Sequence, residues 1–240
     1  MNTESQLNKF LLYREDTPIA EEGFVRVNFD PILIKLLREV KYLLQQDVMV
    51  PEKASLLYKK VNVYRTQTGN LQIIVDMYNG ILSTLLPVEK PLLQDRIERM
   101  NKALFPGINE LKWNSQNIDP FINSAMSIVK DVDELVKKMK DNISKMQDFM
   151  LQWKKPLFER KMKPQPPDEL IQFHESLKMP RLEDIKNHGK EIQKLMKDTA
   201  ENIKPDKKKG TWLDYLDYVN GLVIQGITTG IEASMEYLAN

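Results

Sequence analysis

Two histidines, His174 and His188, are the only imidazoles in the chain. A metal site on helices needs ligands at His-Glu-x-x-His or Glu-x-x-His spacing, and neither histidine belongs to such a pattern. Both are read as ordinary surface or partly buried side chains. Cysteine is absent, which removes thiolate nucleophiles, disulfides and zinc–thiolate clusters, and fits an intracellular setting. A phosphate-cradling loop needs glycines followed by Gly-Lys-Ser or Gly-Lys-Thr. GITTG, from Gly226 to Gly230, has the glycines and no lysine. Carboxylates are plentiful, but they fall among lysines on polar helix faces, where a solvated surface explains them without acid–base chemistry. No catalytic, cofactor-binding or metal-ligating residue is assigned, and the chain is expected not to be an enzyme.

The remaining candidates concern partners. Lys and Arg number 35 against 34 Asp and Glu, a formal charge of +1, so the basic excess of a nucleic-acid surface is missing. The one short basic run, Lys207, Lys208 and Lys209, forms either a solvated turn or a contact for an acidic protein surface. Trp113 and Trp212 each fall at a junction between helices, where an aromatic either locks the joint or projects to a partner. No stretch reaches the roughly 18 uninterrupted apolar residues of a membrane span, and MNTESQLNKFLLYRED lacks the basic start and apolar run of a signal peptide. A soluble protein with no membrane or nucleic-acid partner is expected.

The elements that would position these residues are helices. FVRVNF alternates two faces, which suits a short extended segment. Asp30 then ends it: its carboxylate can accept from the free N–H groups of a first turn, and Pro31 has no N–H to leave unsatisfied. In the helix that follows, Leu33, Leu36, Leu37, Val40 and Leu44 share a face, and Ile32, Ile34 and Leu43 widen it, predicting burial on more than one side. From Pro51, residues Ala54, Leu57, Val61, Tyr64, Leu71, Val75, Tyr78, Leu82 and Leu85, with Thr68 in the polar slot, step by three and four. A second Asp-Pro pair, Asp119 and Pro120, opens an equal run through Ile122, Ala125, Val129, Val132, Val136, Met139, Ile143, Met146, Met150 and Trp153. These periods predict two long left-handed coiled-coil rods, each about 50 Å long. Between them a shorter helix carries Leu93, Ile97, Met100 and Leu104 and is expected to stop at Pro106-Gly107.

The stretch KKPLFERKMKPQPPD holds four prolines and marks a connection. Beyond it, a short helix around Leu170, Phe173 and Leu177 is expected to break at Pro180. The next carries Leu182, Ile185, Ile192, Met196 and Ile203, with Gly189 and Thr199 at intervening positions. In the last block Gly226 and Gly230 share a face where another helix can approach closely. The expected fold is all-α: an elongated bundle of long antiparallel helices after a short extended segment. The divisions are an extended segment 1–29, a helical bundle 30–155, a Pro-rich connection 156–168 and a second helical part 169–240.

VNFDPILIKLLREVKYLL resembles the signature of the dynein heavy chain tail, and the likeness continues in order through VPEKASLLYKK, TGNLQIIVDMYN, LLPVEKPLL, FPGINELKWNSQNIDPFI, IKNHGKEIQKLM and TWLDYLDYVNGLVIQGI. It covers residue 24 to the end, with wording closest to the axonemal class. On this resemblance Asn28, Phe29, Asp30, Pro31, Trp113, Asp119 and Pro120 form a structural signature. The resemblance implies a non-catalytic stem of helical bundles in the cytoskeleton of a cilium or flagellum axoneme. Its implied partners are the WD-repeat dynein intermediate chains and neighbouring heavy chains, and indirectly the doublet microtubule. It also implies a far longer protein, with an AAA+ ring and a stalk that these 240 residues do not contain, so the chain is expected to be a piece of the stem. A spectrin-like or tethering-complex rod is the alternative, but the helical blocks differ in length and share no repeated motif.

Overall fold

A computed structural model describes residues 6–15, 23–155, 157, 166–206 and 210–239. The described chain is all-α apart from a two-stranded sheet. It gathers into two compact units, one of residues 1–85 and 94–134, the other of residues 86–93 and 135–240. The division falls inside a helix, and most of the Pro-rich stretch lies outside the described residues.

In the first unit, strands β1 (Leu12–Arg14) and β2 (Val25–Val27) pair antiparallel, Leu12 opposite Val27 and Arg14 opposite Val25. Helices α1 (Pro31–Gln45), α2 (Glu52–Lys59), α3 (Val61–Thr84) and α4 (Gln94–Asn109) follow. The last helix of this unit is the first half of α5 (Ile118–Gln152). The second unit contains a 3-10 turn at Pro91–Leu93, the rest of α5, then α6 (Pro167–Ile203) and α7 (Gly210–Ala239).

All ten positions of the α5 seam, from Ile122 to Trp153, are buried. Their spacing of three and four keeps one narrow stripe inward over about nine turns of helix, while most of the intervening lysines and aspartates stay exposed, Lys140 being an exception. The earlier rod behaves differently. It is interrupted at Lys60, which separates α2 from α3, and Ala54, Leu57 and Val61 beside the break are only half-buried. Little apolar area would be gained by holding this end in register, so one continuous rod is not formed. Beyond Tyr64 the buried set includes Gln67, Ile74 and Ile81 as well as Leu71, Val75 and Tyr78, a face too broad for a single partner helix.

Three further expectations are corrected. Helix α1 buries only Leu33 and Leu37, whereas Ile32, Leu36, Leu43 and Leu44 are exposed, so its wide apolar stripe is covered on one side alone. Pro106-Gly107 does not stop α4, which runs to Asn109. Gly107 is buried there under the Phe121 ring, which a Cβ would approach to 2.5 Å. Pro180 does not break α6 either. The carbonyl it leaves unpaired belongs to Ser176, and both residues face solvent, where water can satisfy that oxygen.

Candidate functional site

The Asn-Phe-Asp-Pro run forms a joint in the first unit. The Asn28 backbone N–H donates to the Leu11 carbonyl at 2.9 Å, and its carbonyl accepts from Trp113 Nε1 at 2.8 Å. Two segments distant in sequence are thereby tied to one residue. Phe29 fits between two aromatics, edge-on to Trp113 with centroids 4.7 Å apart and tilted on Tyr64 at 6.3 Å. Asp30 sits at the N-cap with extended backbone (φ −84°, ψ 115°). Its Oδ1 accepts from the Ile32 N–H at 2.9 Å, while Pro31 fills the first helical position. Trp113 is buried with its only polar atom satisfied inside the joint.

Other amide side chains complete this unit. Asn79 on α3 donates to the Val25 carbonyl at 2.9 Å and accepts from the Val25 N–H at 3.0 Å, substituting for the next strand on that edge. Asn101 Oδ1 accepts from the Tyr78 hydroxyl at 2.6 Å and from Arg14 Nη2 at 3.1 Å. At the second Asp-Pro pair, α5 already begins at Ile118, so Asp119 lies within the first turn instead of at the cap. Its Oδ1 accepts from Gln67 Nε2 at 2.9 Å, and its charge sits at the positive end of the helix dipole. Pro120 is then third in the helix, where its lost N–H is still one of the unpaired group.

The second unit contains a buried charge. Glu89, in the loop before the 3-10 turn, is 1% exposed. Its Oε2 accepts from the Leu86 N–H at 2.8 Å and from Lys140 Nζ on α5. Its Oε1 and the Tyr215 hydroxyl are buried and make no hydrogen bond. Burial pushes the Tyr215 hydroxyl far above the usual tyrosine range, and the Glu89 and Tyr218 charges add to the shift. Tyr218 is raised by burial first and then by Glu89. Nearby, Asn142 on α5 donates to Asp198 Oδ2 at 2.9 Å and to Thr199 Oγ1 at 3.0 Å on α6.

Small-residue packing joins α5 to α7. A Cβ on Gly230 would stand 2.6 Å from the Trp153 carbonyl oxygen, and one on Gly226 would stand 2.9 Å from Met150 Cβ. Trp153 Nε1 donates to His188 Nδ1 at 3.2 Å, and the His188 ring stacks on Phe149 with centroids 4.8 Å apart. His188 is thus an acceptor inside a packed corner. His174 is half-buried beside Phe173.

None of these arrangements brings a nucleophile, a base and an oxyanion donor together. Among the described residues no group of three His, Asp or Glu stands where it could hold a metal, and no helix is long and apolar enough to cross a membrane. Trp212 is 6% exposed and packs on Tyr215 with centroids 5.7 Å apart. Lys207, Lys208 and Lys209 lie outside the described residues. Sequence reasoning missed Glu89, Asn79 and Asn142. Glu89, followed directly by Lys90 in LLPVEKPLL, carried no signal to set it apart from a solvated loop acid.

Residues 1–121 match the family model described as dynein heavy chain, N-terminal region 1. The flagellar outer arm dynein beta chain of Chlamydomonas reinhardtii is 35% identical across 88% of this chain and 5% of its own length. The ciliary dynein beta chain of Heliocidaris crassispina is 32% identical across 98% of this chain and 5% of its own. Dynein axonemal heavy chain 17 of Mus musculus is 31% identical, covering 90% and 5% respectively. The chain therefore spans about one twentieth of the length of these curated relatives. With the matched region holding the Asn28–Pro31 joint, its Trp113 lock and the start of α5, the chain belongs to the family of dynein heavy chains, as part of their N-terminal region.

Proposed function

We propose that this chain is a non-catalytic tail segment of an axonemal dynein heavy chain. It assembles heavy chains with WD-repeat intermediate chains and anchors the motor complex at the doublet microtubule for ciliary motility. The observation that supports this most is the span of the likeness. Relatives named flagellar, ciliary and axonemal dynein chains align along 88 to 98% of these residues, through both units and not only the matched family region.

The side-chain chemistry agrees with a mechanical role. Glu89 with Lys140, Asp119 with Gln67, and Trp113 with Asn28 use their polar atoms to fix one element against another. In this reading Asn28, Phe29, Asp30, Pro31 and Trp113 set the angle at which the chain enters the bundle, and Asp119 with Pro120 sets the start of α5. Transmitting force needs such fixed joints more than it needs a reactive group.

The test is capture of axonemal intermediate chains from a ciliary extract by the purified full chain, with its helicity verified by circular dichroism. Specific recovery of WD-repeat intermediate chains is expected. Recovery of none by a folded sample, or ATP turnover by the chain alone, would overturn the proposal.

A further inference from the structure

Helix α7 leaves an aliphatic stripe uncovered. Ile224, Ile227, Ile231 and Met235 are 64%, 44%, 52% and 65% exposed. At 100° per residue they fall within an arc of about 80°, beside the face that buries Val219, Gly230 and Ser234. The stripe adjoins a groove of about 280 Å³ between α6 and α7, walled by Ile192, Met196, Leu216 and Val223. Four large aliphatic side chains in a row along a solvent-facing helix are a docking surface rather than the scattered apolar exposure of any soluble protein.

The charges on α7 itself are of one sign, whereas the one charged side chain lining the groove is Lys197 of α6. From Gly210 to Ala239 the helix contains no Lys, Arg or His, and its charged residues are Asp214, Asp217, Glu232 and Glu236. Asp217 lies in line with Ile224 and Met235, while Asp214 and Glu232 border one edge; all three are exposed. A second copy of this face would bring acid against acid, and an anionic bilayer would be repelled by it. A helix with its own aliphatic seam and a Lys/Arg border meets both features, the seam filling the stripe and the cations facing the acids.

We propose that the Ile224–Met235 stripe of α7 is the docking site of a basic amphipathic helix from a partner subunit. This deepens the assembly reading above by giving the chemistry of one partner element. The docked helix lies along α7 with its aliphatic seam over Ile227 and Ile231 and its cations towards Asp214, Asp217 and Glu232, clear of Lys197 in the groove.

The test uses the full chain and two labelled synthetic helices of about three heptads, both with Leu in the seam, one bordered by Lys and the other by Glu. Fluorescence anisotropy should show the Lys-bordered helix binding roughly tenfold tighter at low salt, with the difference shrinking as salt screens it. Ile227→Ser/Ile231→Ser should abolish binding without altering the far-UV spectrum. Asp217→Lys/Glu232→Lys, at exposed positions that leave the packing untouched, should invert the preference towards the Glu-bordered helix.

Equal binding of both helices, or unchanged preference in the charge-reversed variant, would overturn the proposal. So would stripe-dependent self-association in sedimentation, or stripe-dependent partition onto anionic vesicles. Loss of intermediate-chain capture with helix binding intact sinks only the broader function. The reverse outcome sinks only this docking site.

Discussion

Replacing Lys140 by Met tests the buried charge in the second unit. The substitution keeps most of the methylene stem, and thus the packing of α5, but removes the ammonium facing Glu89 Oε2. What remains is a carboxylate 1% exposed, holding one backbone N–H from Leu86 and an Oε1 with no hydrogen bond. Breaking a fully buried ion pair by removing one partner costs about 3–5 kcal/mol. The Lys140 side chain is 25% exposed, so water can reach part of the vacated space, and a loss of about 2–3 kcal/mol is expected. With a urea m-value of about 3 kcal/mol/M for a chain of this size, the midpoint should fall by about 0.7–1 M. The second variant, Glu89→Gln/Lys140→Met, removes the charge as well. Its amide can still accept from Leu86 N–H and leaves no unpaired charge behind, so at least half the loss should return. Urea titration followed by ellipticity at the helix band measures both. A Lys140→Met midpoint indistinguishable from the parent, or a double variant no more stable than the single, would refute the claim that Glu89 is charged and held by Lys140.

Four other outcomes follow from the same geometry. Asp30→Ala should cost about 1 kcal/mol in a thermal melt, because the Ile32 N–H loses its cap; a much larger loss would mean that the carboxylate does more than cap. Trp113→Phe preserves a ring against Phe29 but strands the Asn28 carbonyl, costing about 1–3 kcal/mol for the polar group and some lost packing, against about 3–5 kcal/mol for Trp113→Ala. Gly230→Ala should lose at least about 1–3 kcal/mol by forcing a Cβ onto the Trp153 carbonyl. Gly189→Ala, with open space around it, should gain about 0.5–1 kcal/mol of helix propensity; equal shifts in their melting temperatures would contradict this packing. Tyr215 and Tyr218 hold their protons more tightly folded than unfolded. Their contribution is thus complete below the ordinary tyrosine value of 10.0 and is lost as pH rises above it. Ellipticity should fall with alkali above that point, and Tyr215→Phe should flatten the fall.

The amino-acid order by itself determined the features that depend on neighbours within a turn or on a strict period. Asp30 before Pro31 is such a case, since capping needs only a carboxylate and the N–H two residues on. The α5 seam is another, because ten apolar residues at steps of three and four have one inward face whatever covers it. The Gly226/Gly230 spacing likewise announced a close approach, although only the fold supplied Met150 and Trp153 as the neighbours. Tertiary structure decided what depends on distant partners. The heptad of residues 51–85 promised one rod, yet its first seam positions find little to bury them and the helix breaks at Lys60. The breadth of the α1 stripe suggested neighbours on two sides, and one side is bare. Pro106 and Pro180 stay inside helices because surrounding contacts and water offset a missing hydrogen bond that local propensity alone counts as a stop. Glu89 looked like any loop acid until Lys140, fifty-one residues away, gave its charge a partner. Periodicity says which face of an element is apolar; it does not say what, if anything, will be there to cover it.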